Sequence, residues 1–130
     1  MIVVDASAIV EVLFNTATGR ELQRRLFAMD ETLHVPHLTD VEVSQVLRRY
    51  TVAKTLMSER AEEAFEDYQA LPLIRYPHSI LLPRVWELRH NLSAYDAVYV
   101  ALAEALRAPL VTCDRALGAA PGHSAIIQLF

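Results

Sequence analysis

Residues 1–8 read Met1-Ile2-Val3-Val4-Asp5-Ala6-Ser7-Ala8. Three β-branched residues in succession meet an acid at once, and small residues suited to a helix start follow. A short apolar run of this kind reads as a strand buried on both faces, the pattern of a parallel sheet. Leu33-His34-Val35 before Pro36, Leu73-Ile74-Arg75-Tyr76, Leu110-Val111-Thr112 and Ala125 to Leu129 repeat the theme.

Between the strands the apolar residues take a helical period of about 3.6. Ala8 to Phe14 reads as a helix, and Thr18 to Met29 as another with Leu22, Leu26 and Met29 on one face. Asp40 to Lys54 places Val43, Val46, Leu47 and Tyr50 in register. Ser58 opens a helix whose solvated side carries Glu59, Glu62, Glu63 and Glu66. Ile80 to Leu92 and Tyr95 to Arg107 complete the set, and the Arg115 to Gly122 stretch reads as loop. Strands interleaved with helices imply an α/β fold, a mostly parallel sheet covered on both faces, in a single domain over residues 1–130.

Composition narrows the function classes. At 53% hydrophobic and 22% charged the chain is too apolar to be disordered. No stretch approaches the ~20 apolar residues of a membrane span, and the N-terminus has no basic leader. One cysteine, Cys113, reads as a packed thiol and gives no disulfide framework. The expectation is a cytoplasmic protein with no membrane role. The net charge of −4 argues against holding nucleic acid by bulk charge. Eleven of the twelve basic residues are nevertheless arginine, with Lys54 the exception, which leaves local phosphate contacts open.

Ligands of open parallel sheets bind beyond the carboxyl ends of the strands, at a switch point. Asp5 follows the first strand directly, and Asp114 comes two residues after Thr112. Glu42 lies near the start of the Asp40 helix. Asp96 opens an otherwise apolar run, Ala94 to Ala103, expected to be buried. Each acid also has a local explanation. Thr39-x-x-Glu42 and Ser93-x-x-Asp96 fit capping boxes, Asp5 or Ser7 can cap the first helix, and Asp114 a short turn. Together they point to one crevice, where carboxylates repel unless a cation joins them. Such oxygen donors select Mg²⁺ or Mn²⁺. His34, His37, His78, His90 and His123 show no zinc spacing and read as packing or surface residues.

These same segments resemble the PIN-domain ribonucleases, and within them the VapC toxins of toxin–antitoxin pairs. The resemblance is carried by Met1 to Ala8, by Pro36 followed by Glu42-Val43-x-x-Val46-Leu47-x-Arg49, by Leu92-Ser93-x-Tyr95-Asp96-Ala97-x-Tyr99-Val100-Ala101-Leu102-Ala103, and by Leu110-Val111-Thr112-x-Asp114. It implies a three-layer sandwich and a type II toxin that hydrolyses RNA with metal-activated water. Asp5, Glu42, Asp96 and Asp114 would be the catalytic metal-binding quartet, with Ser7 and Thr112 supporting it. It further implies a cognate antitoxin, whose arginine would suit an acidic pocket, and a homodimer. Arg49 and Arg115, together with Arg48, Arg84 and Arg89, are candidate RNA contacts. The loop-like stretch after Asp114 departs from the fuller helix the family would have.

Two other classes compete. A non-catalytic partner-binding module would use the acids as helix caps only. An aspartate-dependent phosphotransfer domain would also place acids after strands. A phosphatase of that kind wants a second Asp where Ser7 stands, and a receiver wants a lysine after its last strand, whereas Lys54 is mid-chain.

Overall fold

The computed structural model describes all 130 residues. Five strands, β1 (Ile2–Val4), β2 (Leu33–Pro36), β3 (Leu73–Tyr76), β4 (Leu110–Thr112) and β5 (Ile127–Leu129), form one sheet in the order β3-β2-β1-β4-β5. Every pairing is parallel, with Val3 opposite His34 on one side and Leu110 on the other. The order runs outward from β1 to β2 and β3, then returns across β1 to β4 and β5. The switch point therefore lies between β1 and β4.

Alternation along the strands builds two cores. Ile2, Val4, Leu33, Val35 and Val111 face one layer, made of α1 (Ala6–Leu13), α2 (Ala17–Leu26), α3 (Leu38–Val52) and α4 (Ser58–Ala70). Val3 and Leu110 face the other, made of α5 (Leu82–Glu87), α6 (Ala94–Leu106) and α7 (Arg115–Ala119). The result is the expected α/β three-layer sandwich. Burial accounts for its cohesion, since each fully buried Leu, Ile or Val contributes about 1.5–3 kcal/mol against exposure. No helix is long and apolar enough to cross a membrane.

Close packing explains Gly19, one of three glycines. A Cβ there would lie 2.0 Å from the Glu11 carbonyl oxygen, so α2 can approach α1 only with glycine at that position.

Several sequence expectations are corrected. The second helix ends at Leu26, where the Phe27 N–H bonds the Gln23 carbonyl, and Met29 is 90% exposed rather than on the core face. The expected Ile80–Leu92 helix is broken into a 3-10 turn, His78–Ile80, and the short α5. Pro83 is the reason. It has no N–H to donate and fits only a first helical turn. That shortening leaves Ile80, Leu82 and Trp86 exposed while Leu81, Val85 and Leu88 pack inward. Within the Arg115 to Gly122 stretch expected as loop, Arg115–Ala119 forms the helix α7, and residues 120–122 are irregular. His34, by contrast, is the packing histidine expected, buried between the Thr32 and Tyr76 hydroxyls.

Candidate functional site

At the carboxyl edge of the sheet a cleft of about 480 Å³ opens between the N-terminal halves of α3 and α6. Its lining includes all four expected acids, Asp5, Glu42, Asp96 and Asp114, together with Ser7, Gln45 and Tyr95. Each acid arrives from a different segment. Asp5 is the residue between β1 and α1, and Asp114 caps α7 just beyond β4. The switch point thus brings together two strand ends that lie far apart in sequence.

Asp5 is the deepest, 8% exposed, and two hydroxyls hold it. Thr112 Oγ1 donates to Asp5 Oδ2 at 2.7 Å, and Ser7 Oγ donates to the same oxygen. Those hydroxyls are themselves fixed by the backbone after β4. The Cys113 N–H donates to Ser7 Oγ at 3.0 Å, and the Asp114 N–H to Thr112 Oγ1 at 2.9 Å. Thr112→Val would therefore cost a buried carboxylate one donor and leave the Asp114 N–H without its acceptor. We expect a loss of about 1–3 kcal/mol in urea unfolding, with Thr112→Ser close to the parent. An unchanged midpoint in Thr112→Val would contradict this bonding scheme.

The other acids are held by their own neighbours. Ser93 Oγ accepts from the Asp96 N–H at 3.1 Å, the N-cap half of the expected capping box. It also donates to Asp96 Oδ2 at 2.7 Å, so the carboxylate bonds the Ser93 hydroxyl and not its backbone N–H. Asp114 Oδ1 accepts from the N–H groups of Ala116 and Leu117 at 2.7 and 3.3 Å. The capping box expected of Thr39 and Glu42 is absent. Thr39 lies inside α3, and its hydroxyl bonds the Tyr99 hydroxyl at 2.9 Å instead of capping. Tyr99 in turn donates to Glu42 Oε2. One oxygen of each of Glu42, Asp96 and Asp114 is thus anchored, and the other has no protein donor.

Sharing a cleft is not yet chelation. No three acidic, histidine or cysteine side chains converge closely enough to wrap an ion as they lie. Private hydrogen bonds and like charge set them apart. Asp96 is also half-exposed, not buried as expected, because it sits in the first turn of α6 at the cleft rim.

The electrostatics is one-signed. Burial pushes the Asp5 carboxyl above its ordinary range, against the pull of the Ser7 and Thr112 hydroxyls, and the Asp96 charge adds to the rise. Burial also raises Glu42, opposed by the Tyr99 hydroxyl and reinforced by Asp5 and Asp96. No arginine or lysine lines the cleft. An all-oxygen donor set with no cation of its own fits a hard divalent ion such as Mg²⁺ or Mn²⁺.

The candidate RNA arginines lie elsewhere. Arg84 is committed to Glu104 at 2.7 and 3.1 Å and to Glu87 at 2.9 Å, and this pairing takes Glu104 down to about 2. Arg89 stacks on Trp86, and Arg48 lines a separate groove between α3 and α4. Arg49 and Arg115 are exposed but outside the cleft. Cys113 is half-buried with its thiol pushed up to about 11 by burial, consistent with a packed thiol. Sequence reading missed Tyr99, Thr39 and Tyr95. The first had a usable signal, since Tyr99 is three residues from Asp96 and shares its helix face.

Comparison with known proteins agrees with this architecture. The PIN domain family model matches residues 2–122. A VapC ribonuclease of Mycobacterium bovis, Mb0985, is 47% identical over 114 residues, covering 88% of this chain and 86% of the relative. Ribonuclease VapC1 of Mycobacterium tuberculosis is 43% identical over 131 residues, covering 98% and 96%. The structure of VapBC2 from Rickettsia felis bound to a promoter DNA fragment superposes with a TM-score of 0.72 at 16% identity, covering 99% of this chain and 98% of that one. That likeness speaks to the fold alone. With its sheet order, its acidic switch point and these sequence matches, the chain belongs to the PIN domain family, among the VapC proteins.

Proposed function

We propose that the chain is the endoribonuclease toxin of a toxin–antitoxin pair, hydrolysing RNA phosphodiesters with Mg²⁺ or Mn²⁺ held by Asp5, Glu42, Asp96 and Asp114. The observation that carries this reading is the cleft itself, which carboxylates from four separate segments line with no protein cation among them. The names of the VapC ribonuclease relatives support the reaction class.

When bound, a divalent ion polarises the phosphate and lowers the pKa of its water. The chain's own residues do the rest. Asp5, locked by Ser7 and Thr112, provides a rigid floor that fixes where the phosphate can approach. Asp96 faces it from α6 with one oxygen spent on Ser93. Glu42, held through Oε2 by Tyr99, keeps Oε1 to orient the attacking water. Asp114, exposed at the rim and capping α7, closes the ring of charge.

Incubation of the purified protein with total RNA, followed by mapping of new 5′ ends, tests the proposal. Discrete new ends are expected with Mg²⁺ or Mn²⁺ and none with EDTA. Equal cleavage in EDTA, or no cleavage under any condition, would overturn it.

A further inference from the structure

Tyr95 follows Ala94 at the start of α6, adjacent to Asp96, and lines the acidic cleft while 63% exposed. Leu38, Val41 and Val46 of α3 line the same cleft, and Val41 is 66% exposed. Large apolar side chains left open beside four carboxylates add nothing to the core. Each of the other tyrosines and the tryptophan has a charged or ring partner or is buried. Arg49 lies over Tyr50, Arg75 over Tyr68 and Arg89 over Trp86, while His34 packs on Tyr76 and Tyr99 is buried. Tyr95 has no such partner, and it is the exposed aromatic ring that lines the acidic cleft.

Charge decides what suits it. The chain carries −4 and the cleft has no basic lining, so protein charge repels a phosphate backbone there. Stacking of a base on an aromatic ring needs no positive charge and tolerates any base. We propose that Tyr95, flanked by Val41, is a stacking platform for an unpaired nucleobase beside the scissile phosphate. This rests on the ribonuclease reading above. The platform makes cleavage depend on bases that can leave their neighbours, because a base inside a duplex has no free face to offer. An apolar side chain of a partner protein is the other conceivable occupant. It is disfavoured because the ring stands among the carboxylates where the phosphodiester must sit.

The probe is an oligoribonucleotide spanning one cut mapped in total RNA, with and without an abasic ribose at each nucleotide flanking the cut. For Tyr95→Ala, KM is expected to rise about tenfold or more with kcat within about twofold, and Tyr95→Phe and Tyr95→Trp to restore it. One of the abasic probes is expected to cost the parent protein a similar factor and to cost Tyr95→Ala nothing further. An unaltered melting temperature checks that Tyr95→Ala is folded. An unchanged KM in Tyr95→Ala, failure of Tyr95→Phe to rescue, or indifference to both abasic positions would each overturn the proposal. So would a Tyr95→Ala protein that cuts normally but escapes its antitoxin, which would assign the ring to a protein contact. If the parent protein cuts no RNA, the ribonuclease reading fails and takes this one with it. If the parent cuts and Tyr95→Ala cuts equally well, the stacking platform alone fails.

Discussion

Asp5→Asn is expected to reduce RNA cleavage by at least about a thousandfold and, at the same time, to raise the melting temperature of the metal-free protein by a few degrees. The two effects share one cause. Asp5 is the most buried of the four acids, and burial holds its carboxyl above the ordinary range. A raised carboxyl group favours the folded state fully at pH below its unfolded value. That contribution is lost as pH rises through the folded value, so at neutral pH the ionised side chain is a burden on stability. Asparagine removes the charge and keeps an oxygen for the Ser7 and Thr112 hydroxyls. Thermal melts of parent and variant from pH 4 to 8 without metal check the sign. The parent should lose stability relative to Asp5→Asn as pH rises above the usual carboxylate range. Glu42, raised for the same reason, leaves a smaller residual slope in the variant. An Asp5→Asn protein less stable than the parent at pH 7 would contradict the burden assigned to the buried charge.

Asp96→Asn should match that loss of cleavage with a smaller gain in stability. Its charge raises both Asp5 and Glu42, so removing it eases both buried carboxyls. Asp96 is itself only half-buried, which leaves little desolvation to recover. The Ser93 hydroxyl can still donate to the amide oxygen, and the α6 cap survives. Calorimetric titration with Mn²⁺ should show affinity weakened at least about tenfold. An Asp96→Asn protein that cuts RNA at the parent rate would remove Asp96 from the site.

The two variants separate the competing classes. Were the acids caps alone, both substitutions would act through helix stability, and neither would change Mn²⁺ binding. Asp114 caps α7 and Asp96 is tied to Ser93, the cap of α6, yet each acid uses only part of its carboxylate. Capping and ion binding are therefore compatible at this site, and the local explanation of each acid does not displace the shared one.

What could be read from the chain follows from how local each signal is. Ile2-Val3-Val4-Asp5 and Leu110-Val111-Thr112 show their strands directly, because a buried strand writes itself into consecutive residues. The rule that parallel sheets bind ligands beyond the carboxyl ends of their strands then brings Asp5 and Asp114 forward without further information. Pro83 marks the break before α5, but the apolar residues on either side of it keep a helical period that masks the break. The bonds that orient the acids were out of reach. Tyr99 meets Glu42 across 57 positions and Thr112 meets Asp5 across 107, and only the packed layers decide such partners. Exposure was equally hidden. Asp96 and Trp86 sit in apolar stretches that suggest burial, yet one ends at the cleft rim and the other on the open side of α5.

Diffraction from Mn²⁺-soaked crystals at a wavelength where manganese scatters anomalously tests the ion site most directly. The expected result is an anomalous peak in the cleft, with carboxylate oxygens of Asp5 and Asp96 in its shell and Glu42 and Asp114 beside it. A cleft without a peak, its four acids still turned to Ser93, Tyr99, the α7 amides and the two hydroxyls, would contradict it.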